Sequence, residues 1–265
     1  MMTFSKILVP IALSPSCGWA ARYGIELARR FGSDLVFLHI GNCQRETVAA
    51  FLAPAIKDTP PEITIRHGDA AEGIVQFARE MSPSLIIMPT HSHGRFHRFL
   101  LGSVTAKVLH DVDYPVLTGV HKEGVPLSEG ADVQQIVCAV DLDEAFAPVV
   151  RSALELSSLF HAKLAIVHAV PAADETSDNR GEIEVRKYLF RITEEKLTRL
   201  QREAGVSVKV SFAGGAVWTV IREAAIRADA ELVVIGRGHT QRALGRLRTH
   251  SYSIIRNSPC PVLSI

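Results

Sequence analysis

Between positions 237 and 250 the chain gathers Arg237, His239, Arg242, Arg246, Arg248, Thr249 and His250. Guanidinium forks match phosphate oxygens two at a time, so the arginines, with His239 and His250, suit a phosphate or polyanion clamp. The alternative is a solvated loop whose arginines pair with nearby acids at about 0–1 kcal/mol each. Just upstream, Ile235-Gly236 ends an apolar run, and a glycine there would let backbone approach a ligand. Asp141 follows a second apolar run that contains Ala139. A carboxylate in that place can take a ribose hydroxyl or a metal-bridged phosphate, or it can cap a loop. A second candidate anion site is Gly102-Ser103, with Val104 behind it, at the start of a helical pattern. The first N–H groups of a helix have no internal partner and hold anions.

Other chemistries fare worse. His91, His93 and His97 have a metal-like spacing, but Arg95 and Arg98 lie among them with no acid or cysteine, which disfavours a cation. No G-x-x-x-x-G-K-S/T phosphate loop, no G-x-S-x-G elbow and no H-x-G-H run after the first strand is present. No nucleophile–base pair stands at a persuasive spacing. His39 and His168 read as half-buried structural histidines, and Trp218 as core. Cys17, Cys43, Cys138 and Cys260 form no C-x-x-C pair. They read as small hydrophobes in a reduced, cytoplasmic protein.

These residues need a scaffold, and the chain shows one twice. Lys6-Ile7-Leu8-Val9-Pro10-Ile11 recurs as Gln135-Ile136-Val137-Cys138-Ala139-Val140, and 31–39 recurs as 160–168, both at offset 129. Leu85-Ile86-Ile87-Met88 recurs as Leu232-Val233-Val234-Ile235 at offset 147, and 114–117 as 260–263 at offset 146. Shared offsets over separate segments mark a tandem repeat, with about 18 residues inserted between the second and third strands of the second copy. In the first copy, strands are predicted near 6–11, 34–40, 62–67, 84–89 and 114–120. Helices are predicted near 17–30, 44–57, 70–80 and 103–110. Trp19, Tyr23, Leu27 and Phe31 form one amphipathic stripe, ended by Gly32. Alternating strands and helices with continuously apolar strands predict doubly wound parallel sheets. The boundaries expected are 1–124 and 132–265, with 121–133 as linker. The inserted 174–204 reads as a mostly exposed helix with Val185, Leu189, Ile192 and Leu200 on one face.

The 265 residues carry 29 Lys and Arg against 28 Asp and Glu, a net charge of +1. Such balance gives no bulk attraction to nucleic acid or anionic membrane, so any anion site is local. No apolar run approaches the roughly 18–20 residues of a membrane span, and no basic-then-apolar leader is visible.

Taken together, the ILVP opening, Gly68-Asp69, Leu85-Ile86-Ile87-Met88, Leu100-Leu101-Gly102-Ser103-Val104 and Asn257-Ser258-Pro259-Cys260-Pro261-Val262 resemble a tandem universal stress protein over nearly the whole chain. The resemblance implies two flavodoxin- or Rossmann-like α/β domains of strand order 3-2-1-4-5. It implies ATP as ligand, with Mg only alongside it. It also implies edge strands that pair, here as an internal pseudo-dimer, with a homodimer as the further assembly. Members that bind ATP carry G-x-x-G, a spacer and G-S/T after strand four, and an Asp after strand one. The first copy departs from this: Pro89 and Ser92 replace glycines and Ala12 replaces the Asp, leaving Gly102, Ser103 and Val104. The second keeps Ala139, Asp141, Ile235, Gly236 and Arg237, has His239 for the second glycine, and offers Arg248 and Thr249 for the last pair. Three functions follow from the resemblance: a non-enzymatic stress-response protein binding an adenine nucleotide, chiefly in the second copy; a nucleotide-free interaction module; and slow Mg-dependent ATP hydrolysis centred on Asp141.

Overall fold

The computed structural model describes residues 2–56, 61–90, 101–119, 132–171, 180–237 and 247–265, with backbone only at 180 and 247–249. These fall into two compact units, 3–132 and 133–265. The three histidines at 91, 93 and 97, together with His239, Arg242, Arg246 and nearly all of the expected linker, lie outside the described residues.

The first unit runs β1 (Lys6–Pro10), α1 (Pro15–Phe31), β2 (Asp34–Ile40), α2 (Arg45–Leu52), β3 (Glu62–Arg66), α3 (Ala70–Met81), β4 (Leu85–Pro89), α4 (Ser103–Asp111) and β5 (Val116–Gly119). Its strands are parallel in the order β3-β2-β1-β4-β5. β1 is central: Ile7 is in register with Leu35 on one side and Leu85 on the other. Every residue of β4 is buried, as expected for a strand covered on both faces. The α1 stripe packs as its period requires, with Trp19, Tyr23 and Leu27 buried and Phe31 against Phe4 at 5.5 Å between ring centroids. Gly32 ends α1 in the left-handed region at φ 64°, which glycine enters without steric cost. Asp69 caps α3 by accepting a hydrogen bond from the Glu72 N–H at 2.9 Å. α2 is shorter than the 44–57 expected. Pro54 lacks the N–H needed to continue the ladder, and a 3-10 turn at 53–55 replaces the last helical turn.

The second unit runs β6 (Gln135–Ala139), α5 (Phe146–Phe160), β7 (Lys163–Val170), α6 (Arg180–Ala204), β8 (Val210–Gly214), α7 (Val217–Arg227), β9 (Leu232–Ile235), α8 (Leu247–Asn257) and β10 (Val262–Ser264). Its order, β8-β7-β6-β9-β10, repeats that of the first unit. Cys138 is in register with Ile166 and Val234 and fully buried. The inserted segment is a helix from 180, and it differs from expectation in its inner face. Thr193 and Leu197 are buried, whereas Val185 and Ile192 are exposed. Leu189 and Leu200, expected on the inner face, are half-buried beside Thr193 and Leu197, so the packed stripe is shifted from the expected one rather than lost. Trp218 is also exposed rather than core, at 39%. It lies in the first turn of α7, ahead of the buried face formed by Val220, Ile221 and Ala225.

Candidate functional site

In an open parallel sheet, ligands sit beyond the carboxyl ends of the strands where strand order reverses. In the second unit that point lies between β6 and β9. Ala139 and Ile235 end these strands as register partners. The turn after β6 carries Asp141, Leu142 and Asp143. Leu142 is buried and anchors the turn, while Asp143 Oδ1 accepts the Ala145 N–H at 2.9 Å. Asp143, not Asp141, is therefore the carboxylate that serves the local backbone.

Asp141 opens into a cleft of about 600 Å³ lined also by Leu142, Asp143, His168, Ile192, Thr193, Glu195, Lys196 and Arg199. β6 and β7 supply its base and α6 its wall. Its volume is within the range of small-molecule sites, roughly 300–1,000 Å³. The Asp141 carboxyl is shifted above the usual carboxylate range because surrounding atoms displace part of its water, reinforced by the neighbouring Asp143. His168, His250 and Lys196 work against that shift. Three cationic or protonatable side chains, from β7, α8 and α6, thus act on one carboxylate.

The equivalent histidines make the same bond. His39 Nδ1–H donates to the Ile11 carbonyl and His168 Nδ1–H to the Val140 carbonyl, each at 2.8 Å. A carbonyl can only accept, so the proton is on Nδ1 in both. The structural role expected for them holds, yet their surroundings differ. The His39 ring lies over Gly41, where a β carbon would come within 2.6 Å of Nε2, and His39 is buried. At offset 129 the glycine becomes Val170, and His168 is half-buried and lines the cleft.

The strand-four side of the site is less open than its sequence suggests. Gly236 packs against Val149, and the Arg237 N–H donates to the Ile265 carbonyl at 2.8 Å. Arg248 and Thr249 lie in the first turn of α8. The charge of His250, one residue on, reaches Asp141. In the first unit the Gly102 N–H donates to the Thr90 carbonyl at 2.8 Å. Thr105 Oγ1 donates to the Pro89 carbonyl at 2.9 Å. These bonds tie the start of α4 to the end of β4. Gly102 has ordinary extended dihedrals (φ −61°, ψ 142°), and Ser103 is exposed while Val104 is half-buried.

Of the residues singled out in the sequence, the structure brings Ala139, Asp141 and Ile235 to one end of one sheet. It places Gly102, Ser103 and Val104 in the other unit. Sequence reasoning missed Thr193, Lys196 and Arg199. The available signal was the insertion itself, which follows β7 directly and repeats i, i+3, i+6. Among the described residues, no group of three or more His, Cys, Asp or Glu gathers as a metal site, and no helix is long and apolar enough to cross a membrane.

Comparison with known proteins agrees with this architecture. The profile of the universal stress protein family matches residues 42–118 and 133–265, more than half the chain. A universal stress protein of Synechocystis is 37% identical over 57 residues, which is 22% of this chain. The chain spans only about a fifth of that relative's length (20%). Universal stress protein G of Salmonella typhimurium is 27% identical over 38% of this chain and 75% of its own. Among solved structures, a Pseudomonas aeruginosa protein of unknown function covers 100% of this chain and 93% of its own at 19% identity, TM-score 0.71. A universal stress protein of Archaeoglobus fulgidus covers 99% of this chain and 96% of its own at 22% identity, TM-score 0.63. The structural matches speak for the fold. With the profile match over both repeats, they carry one conclusion: the chain belongs to the universal stress protein family.

Proposed function

We propose that this protein is a non-enzymatic, cytoplasmic stress-response protein whose second unit binds an adenine nucleotide. The observation that carries the reading is the cleft at the carboxyl ends of β6 and β7, with Asp141 at its base. Its volume suits a nucleoside, and in this reading Asp141 accepts hydrogen bonds from ribose hydroxyls. The phosphates would extend past β9 toward the first turn of α8, because backbone N–H groups at a helix start favour anions. If Mg is bound with the nucleotide, Asp141 and the phosphates are its ligands, and the ion would neutralise phosphate charge. Occupancy would act by ordering the surrounding loops and so selecting partners.

The first unit favours the nucleotide-free reading. Its Gly102 N–H is already spent on Thr90, and Pro89 has no N–H to offer. It serves as an interaction module beside the binding unit. β5 and β10 each come last in their own unit's strand order, and open edges invite pairing. We propose that they satisfy one another within the chain. Light scattering would then give the 28.9 kDa of one chain, whereas twice that mass would point to a homodimer.

The test of binding is direct. Nucleotide should be found in the supernatant of denatured purified protein, or millimolar ATP should raise its melting temperature. Asp141→Ala should remove the shift and leave the fold intact by circular dichroism. Absence of both nucleotide and shift in the parent protein would leave only the interaction module. Phosphate release above background, lost in Asp141→Ala, would instead establish hydrolysis.

A further inference from the structure

The two ends of the proposed site carry positive charge for different reasons. At the α8 end, cations are expected, because that is where 5′ phosphates belong. At the α6 end they are not. Lys196 and Arg199 line the cleft beside Thr193, on the far side of Asp141 from β9, since β6 lies between β7 and β9. A plain nucleoside offers these two cations no anion.

They are also specific to the second unit. The corresponding helix of the first unit, α2, has eight residues, whereas α6 has 25. Thr193 and Leu197 bury α6 against its unit. That fixes Ile192, Lys196 and Arg199, spaced i, i+4 and i+7, as the stripe at the cleft wall. The acids around them are Asp141 and Asp143 on the β6 turn and Glu195 on α6. Glu195 is shared with Arg191 at 4.0 Å, and Arg199 Nε stands 3.9 Å from Glu203. These are long, exposed pairs of little strength, and a phosphate, with more charge and more acceptors, outcompetes them.

We infer that the α6 wall selects an adenine nucleotide carrying a second phosphate on a ribose hydroxyl, with Lys196 and Arg199 as its receptors. The inference rests on the proposed nucleotide reading of the same cleft. Asp141 takes the ribose hydroxyl left free, and the two cations take the phosphate on its neighbour. The logic is that of dinucleotide sites, where an acid reads a free ribose hydroxyl and a nearby arginine accommodates a phosphate. Here both elements stand together, which suits a ribose substituted at one position only.

The experiment compares adenosine 5′-monophosphate with adenosine 2′,5′- and 3′,5′-bisphosphate by calorimetry at fixed ionic strength. At least one bisphosphate should bind roughly tenfold tighter than the monophosphate, the scale of one or two charge-assisted hydrogen bonds. In the double variant Lys196→Ala/Arg199→Ala the ratio of bisphosphate to monophosphate affinity should fall from about ten to about one. Both side chains are exposed, so the variant should fold. Monophosphate binding with no bisphosphate preference, or a preference that survives in the double variant, overturns this inference and leaves the nucleotide reading standing. Failure of all three ligands to bind overturns this inference alone if ATP still raises the melting temperature, and overturns both readings if it does not.

Discussion

Gly236 and Val149 interlock: a β carbon at position 236 would stand 2.6 Å from Val149 Cγ2. Position 236 shows no left-handed backbone, so glycine is needed there for space. At the offsets of the repeat, Gly236 corresponds to Pro89 and Val149 to Ala20. Bulk on the strand in one unit is exchanged for bulk on the helix in the other. A glycine that looked like a phosphate-loop residue is thus accounted for by close packing of α5 on the sheet.

Gly236→Ala should therefore destabilise the protein by about 1–3 kcal/mol through overpacking. Adding Val149→Ala should recover part of the loss, because the two changes share one contact. Urea denaturation of the two single variants and the double variant measures the coupling. Strictly additive effects would show that the contact is not what requires the glycine.

Asp141 predicts a stability that depends on pH with a definite sign. Its folded pKa lies above the unfolded value near 3.9, so the folded state holds the proton more tightly. Stability from this group is present below the unfolded pKa and falls as pH rises through the folded one. Asp141→Asn should raise the melting temperature at pH 7, with the gain shrinking as the pH drops toward 4. The same variant should weaken nucleotide binding. A gain that grows on acidification would reverse the sign and refute the assignment.

His161 ends α5 at φ 57° and ψ 35°, the position that Gly32 holds at the end of α1. A side chain in the left-handed region costs roughly 1–2 kcal/mol, partly offset by the greater freedom of glycine when unfolded. His161→Gly should stabilise the second unit by up to about 1 kcal/mol in chemical denaturation. Gly32→His should cost a similar amount.

Burial pushes the Cys138 thiol up to about 12, and the residue is fully buried. Thiolate is the reactive form, so Cys138 should resist aromatic disulfide reagents at pH 8 in the native state and react on unfolding. Cys17 is also buried, whereas Cys43 and Cys260 are half-buried. Peptide mapping after native labelling should find the latter two modified first, and rapid native labelling of Cys138 would contradict the fold of β6.

The sequence by itself determined the repeat, the strand–helix alternation and the apolar strands. Those features are written in spacing: Ile7 and Ile136, or Leu85 and Leu232, keep their offsets because each copy must bury the same faces. It also located Asp141, since the end of the first strand is a fixed place in such a sheet. What it could not decide was which side chains meet there. Lys196 and Arg199 stand more than fifty residues from Asp141 in the chain, and only the docking of α6 through Thr193 and Leu197 carries them to the cleft. Glycine at 236 and histidine at 168 also owe their surroundings to distant segments. Packing resolved Gly236 as a space requirement against Val149. His168 is half-buried and lines the cleft, while His39 is buried over Gly41, where the second unit has Val170. Contacts of this kind depend on volumes brought together from distant segments, and those are properties of the tertiary structure alone.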